Sequence, residues 1–269
     1  MPPLSSLPKN ASRAPLADAR GSVGSILGVR VDATSYEDAT ERIVLWARRS
    51  ESRYVCLGVV ASVMESLDSP SYHAALEAAD LVTPDGMPLV WMLRWLGARS
   101  ATRVYGPDLT LAVLKQAEAA GIPIGFYGST SEVIEHMVRN LRRRFPGVRV
   151  VFAEAPPFRP LTPEEDERTT SAINAAGVRI LFVGLGTPKQ DRWMHAHRGR
   201  VQAVMLGVGA AFDFLAGMKP QAPRWMQRSG LEWLFRLATE PRRLWRRYLR
   251  QNPRFAVLAV AQILRARFT

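Results

Sequence analysis

The chain has 269 residues, 47% of them apolar and 22% charged, an ordinary balance for a globular protein with one large domain or a domain plus an appendage. A single cysteine, Cys56, excludes an internal disulfide framework, and no uncharged apolar run reaches the 18 or so residues that a membrane-spanning helix needs. The net charge of +12 is uneven: Lys219 to Thr269 carry 12 of the 36 basic residues, with Glu232 and Glu240 as the only acids.

In chain order, residues 1–25 mix Pro, Ser, Ala and Gly without the apolar run of a secretion signal and read as a disordered leader. Leu27–Val31 then reads as a strand and Tyr36–Arg49 as an amphipathic helix. The strand Tyr54–Val59 contains Cys56, a buried strand thiol rather than a nucleophile. Helices follow over Pro70–Ala79, Met87–Leu96 and Asp108–Ala120. The short run Leu81-Val82 leads into the joint Thr83-Pro84-Asp85-Gly86-Met87-Pro88. Strands over Ile122–Tyr127, Val148–Ala153, Arg179–Val183 and Ala203–Val208 alternate with helices over Ser129–Arg144 and Pro163–Ala176. From Lys219 onward the pattern is helical only, divided by Pro223 and Pro241. There, Arg236, Arg243, Arg247, Arg250 and Arg254 share one stripe, and Trp233, Leu237, Leu244 and Tyr248 another.

Strand–helix alternation with short glycine joints predicts an α/β fold. This is a Rossmann-like, mostly parallel sheet covered by helices over 26–218, with a basic amphipathic helical appendage over 219–269. Ligands of such sheets bind beyond the carboxyl ends of the strands, so the joints that follow strands are the places for chemistry. Gly128-Ser129, Gly184-Leu185-Gly186 and Gly207-Val208-Gly209 would let backbone amides approach a phosphate. Neither G-x-G pair completes a dinucleotide fingerprint, because Lys189 and Phe212 stand at the third glycine position. Asp85 suits a general base at a strand end, or equally a cap for the helix beginning near Met87. Asp108, Asp191 and Asp213 share that ambiguity. No D-x-D pair occurs, and His195 and His197 are spaced so that they do not converge on a metal. A diphosphate handled here would rely on amides and arginines.

Seven stretches in order, from Leu81–Trp91 and Arg103–Leu109 through Phe126–Ser129, Val183–Asp191, Gly207–Asp213 and Ala222–Gln227 to Gly230–Arg236, resemble the WecG/TagA/CpsF glycosyltransferases of bacterial surface-polysaccharide synthesis. The resemblance implies an inverting, metal-independent transfer from a UDP-sugar to a saccharide carried on a polyprenyl diphosphate. It also implies a protein held peripherally on the inner face of the plasma membrane by its appendage, and no other cofactor. Asp85 would be the base, with Gln190 beside the donor. Thr83, Gly86, Gly128, Ser129, Gly184, Gly186, Lys189, Asp191, Gly207, Gly209 and Asp213 would form the donor site. Arg224, Arg236, Arg243 and Arg247 would meet the diphosphate. Val59 stands where many members have Asn, which bears on the donor's identity. Three alternatives stay open: a nucleic-acid-binding protein with a basic arm, a nucleotide-dependent oxidoreductase, and an impaired member kept as a scaffold. Nucleic acid is not expected as a partner on the resemblance, and homo-oligomerisation is undetermined.

Overall fold

A computed structural model describes residues 23–268. The expected leader lies outside them as far as residue 22, while residues 23–25 belong to the first strand. β1 (Val23–Ile26) and β2 (Val29–Asp32) form an antiparallel hairpin. The single strand expected over Leu27–Val31 is therefore split, because Leu27 and Gly28 turn at φ 53° and 80° and reverse the chain there.

α1 (Tyr36–Arg48) begins at Ser35, whose side chain accepts from the Asp38 amide, and buries Ala39, Ile43 and Ala47, four residues apart. β3 (Arg53–Gly58) runs straight into α2 (Val60–Asp68), a helix in the stretch that the sequence reading left unassigned after the strand Tyr54–Val59. The apolar run continues across the junction, and only tertiary pairing ends the strand: the Gly58 carbonyl accepts from the amides of Asp85 and Gly86. α3 (Pro70–Glu77) precedes β4 (Leu81–Pro84), which extends the short run Leu81-Val82 by two residues into the expected joint. α4 (Met87–Trp95) and α5 (Gly106–Ala119) follow. The regular alternation then holds through β5 (Ile124–Gly128), α6 (Ser131–Arg144), β6 (Val150–Glu154), α7 (Pro163–Ala175), β7 (Ile180–Gly184), α8 (Lys189–His197), β8 (Val204–Gly207) and the short α9 (Ala211–Leu215).

The six strands β3 to β8 are all parallel, in the order β4-β3-β8-β7-β5-β6. Helices cover both faces, which is why the central strands are apolar throughout instead of alternating. Val113, Phe126, Phe182 and Phe212 are packed under α1, α5, α6 and α9 on one face. Tyr54, Tyr72, Leu93 and Met194 are packed under α2, α3, α4 and α8 on the other.

The C-terminal segment forms α10 (Arg224–Arg228), α11 (Glu232–Thr239) and the long α12 (Pro241–Phe268), which carries Pro253 in its interior. Its far half is built into the second face. Phe255 and Ala259 are buried there. Arg254 holds Asp68 at 2.7 Å, and the Gln262 amide bonds both Leu27 N and Ser25 O of the hairpin. Among the described residues, no helix is long and apolar enough to cross a membrane.

Candidate active site

Asp85 follows the end of β4, and its carboxylate does not cap the next helix. The N-cap of α4 is Gly86, without a side-chain bond. Instead, Asp85 Oδ1 accepts from Arg103 Nη2 at 3.2 Å and Oδ2 from the Gly106 amide at 3.4 Å. Arg103 Nε also donates to the Asp85 carbonyl, and its guanidinium lies 4.3 Å from the centre of the Tyr105 ring. The same Nη2 reaches Glu232 Oε2 at 2.5 Å, and Nη1 reaches the Gln227 carbonyl at 3.3 Å. Burial pushes the Asp85 acid up to about 6; Arg103 opposes that shift and Glu232 adds to it. A Cβ on Gly106 would fall 2.8 Å from Leu57 Cδ1 and 3.6 Å from both Asp85 Oδ2 and Val208 O. A side chain there would crowd Leu57 and only touch the carboxylate and the β8 joint, so it is the Leu57 packing that favours glycine at the α5 N-terminus.

The glycine joints come together beside it. Gly128, at φ 132°, lies against the Gly184 backbone so closely that a Cβ would be 2.5 Å from the Gly184 carbonyl carbon. Ser129 takes φ 58° and donates its amide to Gly184 O, while Thr130, not Ser129, caps α6. Phe212, at the third glycine position, fills the space that the Gly184 hydrogen leaves: a Cβ there would be 2.6 Å from its ring. Gln190 is buried between the two G-x-G joints. Its Nε2 donates to Gly207 O at 2.7 Å and its Oε1 accepts from Gly186 N at 3.1 Å, and Gly209 lies alongside. The side chain therefore braces the joints.

The other expected donor residues take varied positions, and Asp191 Oδ1 lies 3.2 Å from where a Gly207 Cβ would stand, on the joint that Gln190 braces. Thr83 is wholly buried inside β4. Lys189 is exposed at the start of α8. Asp213 pairs with Lys219 at 3.5 Å. Asp191 is only 1% exposed and accepts from the Tyr72 hydroxyl at 2.7 Å, deep in the second face. Burial pushes its acid up to about 6, against hydrogen bonds from Tyr72 and from groups near its other oxygen. Val59 begins α2 without a side-chain cap, its Cα 3.8 Å from where a Gly86 Cβ would stand.

The appendage closes over the Asp85 side. Arg224 is exposed on α10, and Arg243 pairs with Glu240 at 2.7 Å. Arg236 and Arg247 are half-buried, with Nε atoms that have no hydrogen-bond partner among the described residues. The Tyr105 hydroxyl and Gln251 Oε1 are likewise buried and unpartnered there. Arg236 lies near enough to Tyr105 to act on its hydroxyl, whose acidity is reduced mainly by burial. Unsatisfied groups of this kind suit a polar ligand. Among the described residues, no three His, Cys, Asp or Glu side chains could hold a metal ion.

The glycosyl transferase WecG/TagA/CpsF family model matches residues 24–269, which include every element of this site. The chain belongs to the WecG/TagA/CpsF family of glycosyl transferases. It is 32% identical over 187 residues to the N-acetylglucosaminyldiphosphoundecaprenol N-acetyl-beta-D-mannosaminyltransferase of Bacillus spizizenii, covering 69% of this chain and 70% of that relative. In this glycosyltransferase Asp85, Gly106 and Arg103 meet beyond the end of β4. Arg103, Tyr105 and Glu232 were legible only as parts of matching stretches. Arg103 lies 18 residues from Asp85 and 129 from Glu232, so no local spacing connects the three.

Proposed function

We propose that this glycosyltransferase moves a sugar from a UDP-sugar to a saccharide on a polyprenyl diphosphate, by one inverting displacement with Asp85 as base. The observation that carries the reading is the Asp85 carboxylate. It sits beyond a parallel strand, is 15% exposed, and is poised at about 6. Such a group is mostly ionised at neutral pH and still basic enough to take a hydroxyl proton. The acceptor oxygen attacks the anomeric carbon as its proton passes to Asp85. The bond from that carbon to the diphosphate oxygen breaks, and UDP leaves. The amides of the glycine joints and the half-buried Arg236 and Arg247 would meet the leaving charge without a metal.

The relative's N-acetylglucosaminyldiphosphoundecaprenol acceptor supports a lipid-linked saccharide as the second substrate. Trp225, Trp233, Leu234, Trp245 and Leu249 are exposed on α10 to α12 among the arginines. That surface suits attachment to an anionic leaflet, where each basic residue contributes about 1 kcal/mol and the apolar side chains enter the interface.

The test is transfer from a panel of UDP-sugars to short-chain polyprenyl-diphosphate saccharides, with Asp85→Asn alongside. The variant should lose about 10²–10⁴-fold in kcat while UDP binding stays within about threefold. Turnover by Asp85→Asn at the wild-type rate, or a product with the donor's anomeric configuration, would reject the mechanism.

A further inference from the structure

We propose that Glu232 is a positioning residue that couples the seating of the C-terminal helices to the working state of the Asp85 carboxylate, acting through Arg103. The inference rests on Asp85 being the base, and it deepens that reading by naming how the appendage governs the site.

Arg103 is held from two sides. The sheet domain supplies the Asp85 carbonyl and carboxylate and the face of Tyr105. The appendage supplies the Gln227 carbonyl and the Glu232 carboxylate. The Nη2 nitrogen is shared, and the appendage holds it more closely, at 2.5 Å to Glu232 against 3.2 Å to Asp85. Glu232 therefore draws the guanidinium partly away from Asp85. One cation then serves two carboxylates, each only 15% exposed. A carboxylate that must share its counter-ion keeps more of its basicity than one that owns it.

Glu232 is also out of keeping with its surroundings. It is one of two acids in a segment with 12 basic residues. The other, Glu240, pairs with Lys219 and Arg243. Glu232 is instead aimed at Arg103, the arginine that touches Asp85 among the described residues. Where α10 and α11 seat on Arg103, Glu232 shares its cation and Asp85 keeps its basicity under a covered site. With the charge of Glu232 removed, Arg103 has Asp85 as its carboxylate partner and Asp85 becomes a weaker base.

The charged and titratable groups around Asp85 set the control. Arg103 and Glu232 bear on it directly. Tyr36 from α1 and Tyr105 before α5 stand close enough to feel its charge, Asp108 acts on Tyr36, and Arg236 from α11 on Tyr105. Of these, Glu232 is the anion brought by the appendage.

The experiment is carboxyl-carbon NMR titration of the full chain with labelled Asp, the Asp85 signal assigned by its loss in Asp85→Asn. The wild type, Glu232→Gln and Glu240→Gln are compared. A glutamine at 232 keeps an acceptor for Arg103 but removes the charge. The Asp85 midpoint should fall by about one pH unit in Glu232→Gln and stay in place in Glu240→Gln. The acid limb of kcat/KM should move down by the same amount, with lower turnover on its plateau. An unmoved Asp85 midpoint in Glu232→Gln, or an equal shift in Glu240→Gln, overturns the proposal. The titration needs no turnover, so a wild type that transfers no sugar would count against the proposed function while leaving the Glu232 linkage decided by the NMR result.

Discussion

Replacing Asp191 by Asn should make the protein more stable at neutral pH and less stable in acid. Asp191 is buried and its acid is raised from 3.8 to about 6. Such a shift of roughly two units corresponds to about 3 kcal/mol that folding spends to keep the group ionised at pH 7.5. The sign follows from where the proton is held. The folded state binds it more tightly than the unfolded chain, so this stability is fully present below about pH 4 and is lost as pH rises through 6. Asparagine does not titrate and can still accept from the Tyr72 hydroxyl. Its amide would occupy the place of Oδ1, which has no well-formed hydrogen bond, and an unmatched buried donor costs about 1–2 kcal/mol. The variant should therefore gain about 1–2 kcal/mol over wild type at pH 7.5 and lose about the same at pH 4. Urea unfolding of both proteins across that range measures the difference, to which other titrating groups contribute equally. A difference that stays constant with pH would refute the account of Asp191 as a buried structural acid. A hundredfold rise in donor KM would instead return it to the donor site.

Gly128→Ala would drive a methyl group to 2.5 Å from the Gly184 carbonyl carbon at φ 132°, so it should cost at least about 2 kcal/mol and lower Tm by roughly 4–8 °C in a thermal melt. Gln190→Leu would leave the Gly207 carbonyl and the Gly186 amide unpaired, and steady-state kinetics should show donor KM rising about tenfold or more, with a smaller effect on kcat. Trp245→Ser with Leu249→Ser removes two exposed apolar side chains from α12, and co-sedimentation with anionic vesicles should weaken about tenfold or more while the folded chain keeps its Tm. Truncation before Lys219 is a poorer test of attachment. It would also remove Phe255 and Ala259 from the core, and Gln262 from the β1–β2 hairpin.

The alternation of strands and helices was legible because each buried parallel strand is a short apolar run and each covering helix repeats its apolar residues at helical spacing. Reading failed where that signal is silent. Val60-Ala61-Ser62-Val63-Met64 continues the apolar run of β3, and only the pairing of Gly58 with the Asp85 joint ends the strand. The hairpin at Leu27-Gly28 was missed because a single glycine turn interrupts no apolar pattern. Among the aspartates, spacing left catalysis and capping equal for Asp85, and for Asp191 it missed that the side chain points into the core. Helix position settles neither, since what separates them is which buried partners surround each carboxylate.

By itself, the sequence determined the sheet's composition, the joints at its strand ends and the confinement of excess charge to the last 51 residues, all properties of neighbouring residues. Tertiary structure alone decided that Asp85, Arg103 and Glu232 form one ionic chain, that Gln190 braces two glycine joints, and that the appendage is tied into the core at its far end. Those relations join residues up to 129 positions apart in the active site and 237 apart at the hairpin. Burial there alters basicity and hydrogen-bond demand, and burial is a property of the folded neighbourhood that local spacing does not carry.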